Sequence, residues 1–378
     1  MMAFARTDRS LIGQWWWTVD RWSFLAIVML VAVGAILCFA ASPSVAERIG
    51  LPSLHFVDRQ LIFLVPAVAA LFLSSLLNPR AVRRVAALML VISVVLLVAT
   101  LFAGMEIKGA RRWIAIGSLS LQPSEFVKPA FTVIVGWLLA ESARRGHLVG
   151  YGLAFALYVL VLTLFVLEPD FGQSLLLSMV WGTQMFLAGV PWIWLGFLAL
   201  SGLAGLVTAY VFVPHVGNRI DRFLDPSSGD TYQVDRARDA IVHGGILGVG
   251  PGDGAVKRIL PDAHTDFIFA VAAEEYGLLL GLLLILLFGF IVVRGLARAL
   301  SDNDQFVQIA ASGLFVLFGF QAFINIAVNL MLLPPKGMTL PFVSYGGSSL
   351  VALALTMGLA LALTRKRAGA RFLGEFRT

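Results

Sequence analysis

WSFLAIVMLVAVGAILCFAAS, residues 22–42, contains no Asp, Glu, Lys or Arg. A helix rises about 1.5 Å per residue, so a run of this kind covers the roughly 30 Å apolar thickness of a bilayer. The run is too long for the apolar core of a signal peptide and further runs follow it, so it is expected to be retained as an anchor. Similar runs recur near residues 57–77, 85–104, 126–142, 151–167, 173–190, 192–213, 266–293, 306–330 and 349–364. The expected fold is all-α: a polytopic membrane protein of about ten transmembrane helices, with a long ordered extracytoplasmic loop between helices 7 and 8. The chain is read as one integral membrane domain over residues 1–378, with a cytoplasmic N-terminal segment at 1–21, the large loop at 215–265 and a cytoplasmic tail at 365–378.

Composition supports this. Of 378 residues, 59% are apolar and 13% charged, against roughly 25% charged in a soluble domain. The net charge of +6 does not indicate nucleic acid, because the basic residues sit at span ends and in loops instead of one tract. Cys38 is the one cysteine, which excludes a disulfide framework and reads as a small buried filler. Arg6, Arg9, Arg21, Arg80, Arg83, Arg84, Arg144, Arg145, Arg294, Arg298, Arg365, Lys366, Arg367, Arg371 and Arg377 all fall on the side of the termini, more densely than basic residues on the other side. The positive-inside rule then puts both termini in the cytoplasm. Trp15, Trp16, Trp17 and Trp22 read as an aromatic anchor at that face.

With that orientation the polar clusters fall outside. Arg111 and Arg112 follow span three, and Glu125 and Lys128 open span four. Arginine's planar fork suits phosphate oxygens; the alternative is a salt bridge from Arg112 or Lys128 to Glu125. Glu168, Pro169 and Asp170 form a short turn in which Asp170 can cap the next helix. The segment 260–266 brings His264 and Asp266 to the outer end of span eight, where Asp266 can act as an acid or base or cap the helix. On a straight helix Glu274 and Glu275 lie ~12 Å deeper, where ionisable groups count as functional candidates unless they pair with a neighbouring helix. Gln321, Asn325 and Asn329 share one face of span nine, a pattern suited to hydrogen bonding between helices. The loop that follows, with Lys336 as its charge, is apolar enough to lie against the bilayer.

GARRWI at 109–114, QPSEFVK at 122–128, EPDFG at 168–172, GGILGVG at 244–250, LPDAHTDFIFAVAAEE at 260–275 and LPFVSYGGSS at 340–349 run in order through most of the chain. Together they resemble the SEDS proteins (shape, elongation, division and sporulation), peptidoglycan glycosyltransferases of the bacterial cytoplasmic membrane. Residues 325–349 are most similar to the cell-division branch, with the elongation branch as the alternative. The resemblance implies polymerisation of lipid II into glycan strands at the outer membrane face during septal wall synthesis, with release of undecaprenyl diphosphate. It also implies a class B penicillin-binding protein and other divisome membrane proteins as partners.

By the same resemblance Asp266 occupies the family's essential acidic position. Glycosyl transfer requires a base for the acceptor hydroxyl and positive charge for the departing diphosphate. The expected catalytic residues are Asp266, His264 and Glu125. Arg111, Arg112, Lys128, Arg219, Arg222, Lys336 and Ser344 are the expected substrate contacts. Mg²⁺ or another divalent cation could bridge carboxylate and diphosphate, although no residue spacing demands a metal. The competing functions are a flippase for the same lipid, which would favour a site near the midplane, and a noncatalytic scaffold.

Overall fold

A computed structural model describes residues 10–107, 110–117, 119–212, 217–218, 220–221, 225, 231–335 and 337–366. The short helix α1 (Leu11–Thr18) leads into α2 (Arg21–Arg48), α3 (His55–Ser75) and α4 (Pro79–Ala103). Strands β1 (Met105–Ile107), β2 (Ala110–Ile116) and β3 (Leu119–Leu121) follow. Next come α5 (Pro123–Arg145), α6 (Val149–Leu167), α7 (Phe171–Leu187) and α8 (Trp192–Phe212). Helix α9 (Tyr232–Gly244) lies in the long loop, and α10 (Ile268–Leu300), α11 (Gln305–Asn329) and α12 (Gly347–Leu363) complete the fold.

Among the described residues, eight helices are long and apolar enough to cross a membrane: α2 to α6, α8, α10 and α11. Helix α12 is a shorter apolar helix of 17 residues, and α7, of the same length, is less apolar, so nine of the ten expected spans are apolar helices among the described residues. The chain is a multi-pass membrane protein. Helix α11 is the most enclosed of the eight, with 83% of its apolar window buried, followed by α5 at 67%. Helix α8 has none of its window buried, so its apolar side chains face outward.

Two contacts fix which ends lie together. Asp20, just before α2, takes a two-pronged contact from Arg294 near the end of α10, with Nε at 2.7 Å and Nη2 at 3.0 Å. The Lys366 amide donates to Thr18 O at 3.1 Å, which brings the described C-terminal end beside α1. Asp266, at the other end of α10, therefore lies at the bundle end opposite the terminal segments.

The structure departs from the sequence reading in three places. Residues 105–121 hold a three-stranded antiparallel sheet, ordered β1-β2-β3, where only a connection was expected. Trp15 is not at an interface: it is 5% exposed, packs edge-on against Phe24 and Phe72, and donates its Nε1 to Ser75 Oγ at 2.8 Å. Trp22, 63% exposed, remains free to anchor the chain at a membrane surface.

The third departure is the loop between α11 and α12, which lies inside the bundle instead of against the bilayer. Met338, Leu340, Phe342, Val343 and Ser344 are all buried. Gly34 of α2 admits it, since a Cβ there would lie 2.2 Å from Phe342 O. Irregular backbone at this depth is stable only where protein groups satisfy it, and Gln60, Gln321 and Asn325 do so.

Candidate active site

Asp266 lies in the turn that delivers the chain to α10. Asp262 adopts φ 52°, and its carbonyl accepts from the amides of Thr265, Asp266 and Phe267 at 3.0, 3.1 and 3.3 Å. The turn therefore winds tightly on one oxygen. The helix starts at Ile268, with Phe267 as its N-cap residue making no side-chain cap bond. Asp266 thus stands one residue before the N-cap position. Asn329 adds an acceptor from another helix: its Oδ1 accepts from Ala270 N at 3.1 Å, an amide that also donates to Phe267 O at 3.0 Å.

The amide face of α11 positions the same segment. Asn325 and Asn329 both donate to the Asp266 carbonyl, at 3.0 and 2.9 Å, and Asn325 also donates to Met338 O at 2.6 Å. The expected interhelical hydrogen bonding by these amides is therefore present, and it fixes the backbone of the candidate acid. A Cβ added at Gly337, which adopts φ 62°, would lie 3.7 Å from Asp266 Oδ2, so the partly buried carboxylate faces that turn. Lys336 lies outside the described residues, as do Arg219 and Arg222.

The 340–346 loop closes the site from the other side. Ser344 is 3% exposed; its Oγ donates to Thr265 O at 2.5 Å and accepts from Leu340 N at 2.8 Å. The geometry makes Ser344 a tether between the two loops. Tyr345 N donates to His264 O at 2.8 Å, and the His264 ring packs between Phe56, with centroids 4.2 Å apart, and Tyr345, at 5.3 Å. Arg59 hydrogen-bonds the Tyr345 side chain, and burial, outweighing Arg59, raises the phenol above its ordinary pKa. The sequence reading overlooked Arg59, Gln60 and Phe56. The signal was HFVDRQ at 55–60, a polar patch at the outer mouth of an otherwise apolar span.

Glu125 and Lys128 are 4% and 2% exposed, and Lys128 Nζ donates to Glu125 Oε2 at 2.9 Å. They belong to a closed polar ring. Lys128 also donates to Gln321 Oε1 at 3.2 Å, and Gln321 Nε2 donates to Thr339 O at 3.2 Å. Thr339 Oγ1 lies 2.9 Å from Ser349 Oγ, which donates back to Glu125 Oε2 at 3.4 Å. The salt bridge considered for Lys128 is what the geometry holds, and both groups act inside the packing. Through Gln321 on the α11 amide face, the ring joins the element that holds Asp266.

Strand alternation separates the two arginines of β2. Arg111 is exposed, with Glu106 at 3.5 Å. Arg112 turns inward to donate to the carbonyls of Glu168, at 3.0 Å, and Pro169. Asp170 caps α7 through Gln173 N at 3.3 Å, as expected. Burial pushes the Glu168 carboxyl up to about 7, against the lowering effects of a Thr100 hydrogen bond and Arg112.

Glu274 and Glu275 pair with the long loop, Glu274 in part with helix α9, a neighbouring helix as one reading of the sequence allowed. Glu274 accepts from the amides of Val256 and Lys257 at 2.7 and 2.8 Å and contacts His243 Nδ1 at 3.1 Å; Glu275 pairs with Lys257 Nζ. Among the described residues there is no group of three or more His, Cys, Asp or Glu suited to hold a metal. A divalent cation at Asp266 would therefore draw most of its ligands from substrate phosphates and water, as Mg²⁺ commonly does.

Comparison with known proteins identifies the family. A family model described as "Cell cycle protein" (FTSW_RODA_SPOVE) matches residues 21–369. The Caulobacter vibrioides protein "Probable peptidoglycan glycosyltransferase FtsW" is 49% identical over 369 residues, covering 97% of this chain and 95% of that protein. "Stage V sporulation protein E" of Bacillus subtilis is 34% identical, covering 89% and 94%. A chain from "Structural coordination of polymerization and crosslinking by a peptidoglycan synthase complex" superposes with a TM-score of 0.74 at 28% identity, covering 92% of this chain and 97% of that one. The rod shape determining protein RodA of Thermus thermophilus gives a TM-score of 0.69 at 27% identity over 92% and 97%. By sequence over nearly its whole length and by fold, the chain belongs to the FtsW/RodA/SpoVE (SEDS) family of cell cycle proteins.

Proposed function

We propose that this chain is a peptidoglycan glycosyltransferase that polymerises lipid II, the undecaprenyl-diphosphate-linked disaccharide-peptide, in septal wall synthesis. The Asp266 carboxylate takes the proton of the acceptor sugar hydroxyl. That oxygen attacks the anomeric carbon of the donor, the bond from this carbon to the diphosphate breaks, and undecaprenyl diphosphate leaves with the electron pair. Cations at the same mouth stabilise the developing charge, which in such reactions is often the largest catalytic contribution. Arg59, which hydrogen-bonds the Tyr345 side chain beside His264, is one candidate; Lys336, Arg219 and Arg222 are further candidates.

The observation that carries this reading is a partly buried carboxylate whose own carbonyl is held by two amides of the most enclosed long helix, Asn325 and Asn329. Such double anchoring preorganises a base instead of leaving it on a free loop. A divalent cation joining Asp266 to the diphosphate is compatible with the donor set. The distribution of Lys and Arg supports cytoplasmic termini and an outward-facing site in the bacterial cytoplasmic membrane. The complex named for the structural relative supports a class B penicillin-binding protein as the crosslinking partner.

The test is a reconstituted assay with lipid II, read for glycan strands and, separately, for lipid movement between leaflets. Strand formation by the wild-type protein, with or without the transpeptidase, is expected. Translocation without strands would make the chain a flippase.

A further inference from the structure

A cavity of about 860 Å³ lies between the outer half of α2 and the segment 251–258, lined by Ile36, Phe39, Arg48, Lys257, Arg258 and Glu275 among others. None of His264, Asp266, Gly337 and Tyr345 lines it. Its volume falls within the usual range of ligand pockets. The floor is apolar: Ile36 and Phe39 are 54% and 50% exposed on a membrane-spanning helix, as lipid-facing side chains are. The rim is cationic. Arg48 donates one Nη2 bond to Leu260 O at 3.1 Å, and no carboxylate among the described residues pairs with Arg48 or with Arg258.

The wall between floor and rim is also polar. Pro43 lacks the N–H that would bond the Phe39 carbonyl within the helix. Lys257 Nζ bonds the next carbonyl, Ala40 O, at 2.9 Å.

The dimensions match one leaflet. Along α2, Ile36 to Arg48 spans roughly 18 Å, about half the hydrocarbon thickness plus a headgroup layer. The charge matches one phosphodiester. Lys257 and Glu275 cancel each other, which leaves Arg48 and Arg258 against Glu47: enough for a single negative charge, short of a diphosphate. From this complementarity we infer that the cavity binds a glycerophospholipid, with its phosphate on Arg48 and Arg258 and one acyl chain along Ile36 and Phe39. Since Arg48 also holds Leu260, the bound lipid clamps the segment leading to Asp266 against α2.

The test uses the full-length protein, delipidated in detergent and offered phosphatidylglycerol, diacylglycerol or undecaprenyl diphosphate, with retained lipid measured by native mass spectrometry. Wild type should retain phosphatidylglycerol, and the double variant Arg48→Ala, Arg258→Ala should retain it about ten-fold less, while Arg48→Lys, Arg258→Lys keeps most of it. A phosphatidylglycerol carrying a diazirine in its acyl chain should label wild-type residues 36–39, a readout independent of how the variants fold. Equal retention by wild type and the alanine double variant, or no label at 36–39, overturns the inference. So does selective retention of undecaprenyl diphosphate, which would assign the cavity to the substrate lipid.

Discussion

The two helical parts of α10, separated by the kink at Gly277, lie in two surroundings. Before the break, Ile268 to Glu275 are buried without exception, and two glutamates find five protein donors in the loop 243–257. After it, Leu278, Leu279, Leu282, Leu286 and Val293 form an exposed apolar stripe, and the helix ends in the arginines that hold Asp20. Gly277 itself adopts φ 75°, and the broken ladder is repaired by the loop. Val249 N and Gly250 N donate to the carbonyls of Glu274 and Glu275 at 3.0 and 3.1 Å, and Leu278 N donates to Gly245 O at 3.0 Å. Charge persists at membrane depth in this helix only where protein replaces lipid as the solvent.

The largest way to break the contrast is Gly277→Ala. A Cβ there would lie 2.2 Å from Ile246 O and 2.5 Å from Gly248 N, at a φ that L residues rarely adopt. We expect the loop to detach and almost no monodisperse protein to be recovered, measured by size-exclusion chromatography in detergent.

Next is the pair Lys257 and Glu275, 6% and 0% exposed. Lys257→Met alone should cost about 3–5 kcal/mol because it strands a buried carboxylate, whereas Lys257→Met with Glu275→Leu should recover much of that loss. Thermal unfolding of both variants separates a stabilising ion pair, for which the double variant would be no better, from a mutual neutralisation.

Asn329→Leu removes one of two acceptors of Ala270 N and one of two side-chain donors to Asp266 O. A loss of ~1–2 kcal/mol in stability and about ten-fold in kcat is expected, with KM for lipid II nearly unchanged. A change confined to KM would detach the amide face from catalysis. The smallest effect belongs to the lipid-facing stripe: Leu282→Ala, at a residue 54% exposed, should stay within about 0.5 kcal/mol of wild type.

The spans were legible because apolar length is written locally, and so was Asp170 as a cap, since its partner Gln173 is three residues away. The sheet at 105–121 was obscured by its brevity; the dipeptides Lys108-Gly109 and Gly117-Ser118 at hairpin spacing were its signal. The segments 260–266 and 340–346 meet beside Asp266, whereas Arg112 turns to the carbonyls of Glu168 and Pro169 and residues 249–250 bond Glu274 and Glu275, contacts that are distant in sequence. The Lys128 salt bridge to Glu125, three positions away, was legible, while its bond to Gln321, 193 positions away, and the bond of Ser344 to Thr265, 79 positions away, were not. The loop after α11 was taken for a surface segment because apolar composition alone does not distinguish lipid from protein interior.

Asp266→Asn, purified and reconstituted, tests the central claim most directly when strand formation and lipid II binding are measured on the same preparation. The amide keeps the shape and the Asn325 and Asn329 bonds to the backbone, but it removes the base. Binding should stay within about two-fold of wild type while polymerisation falls by a factor of roughly 10² to 10⁴. Polymerisation at the wild-type rate would show that the acceptor proton goes elsewhere and would contradict the account.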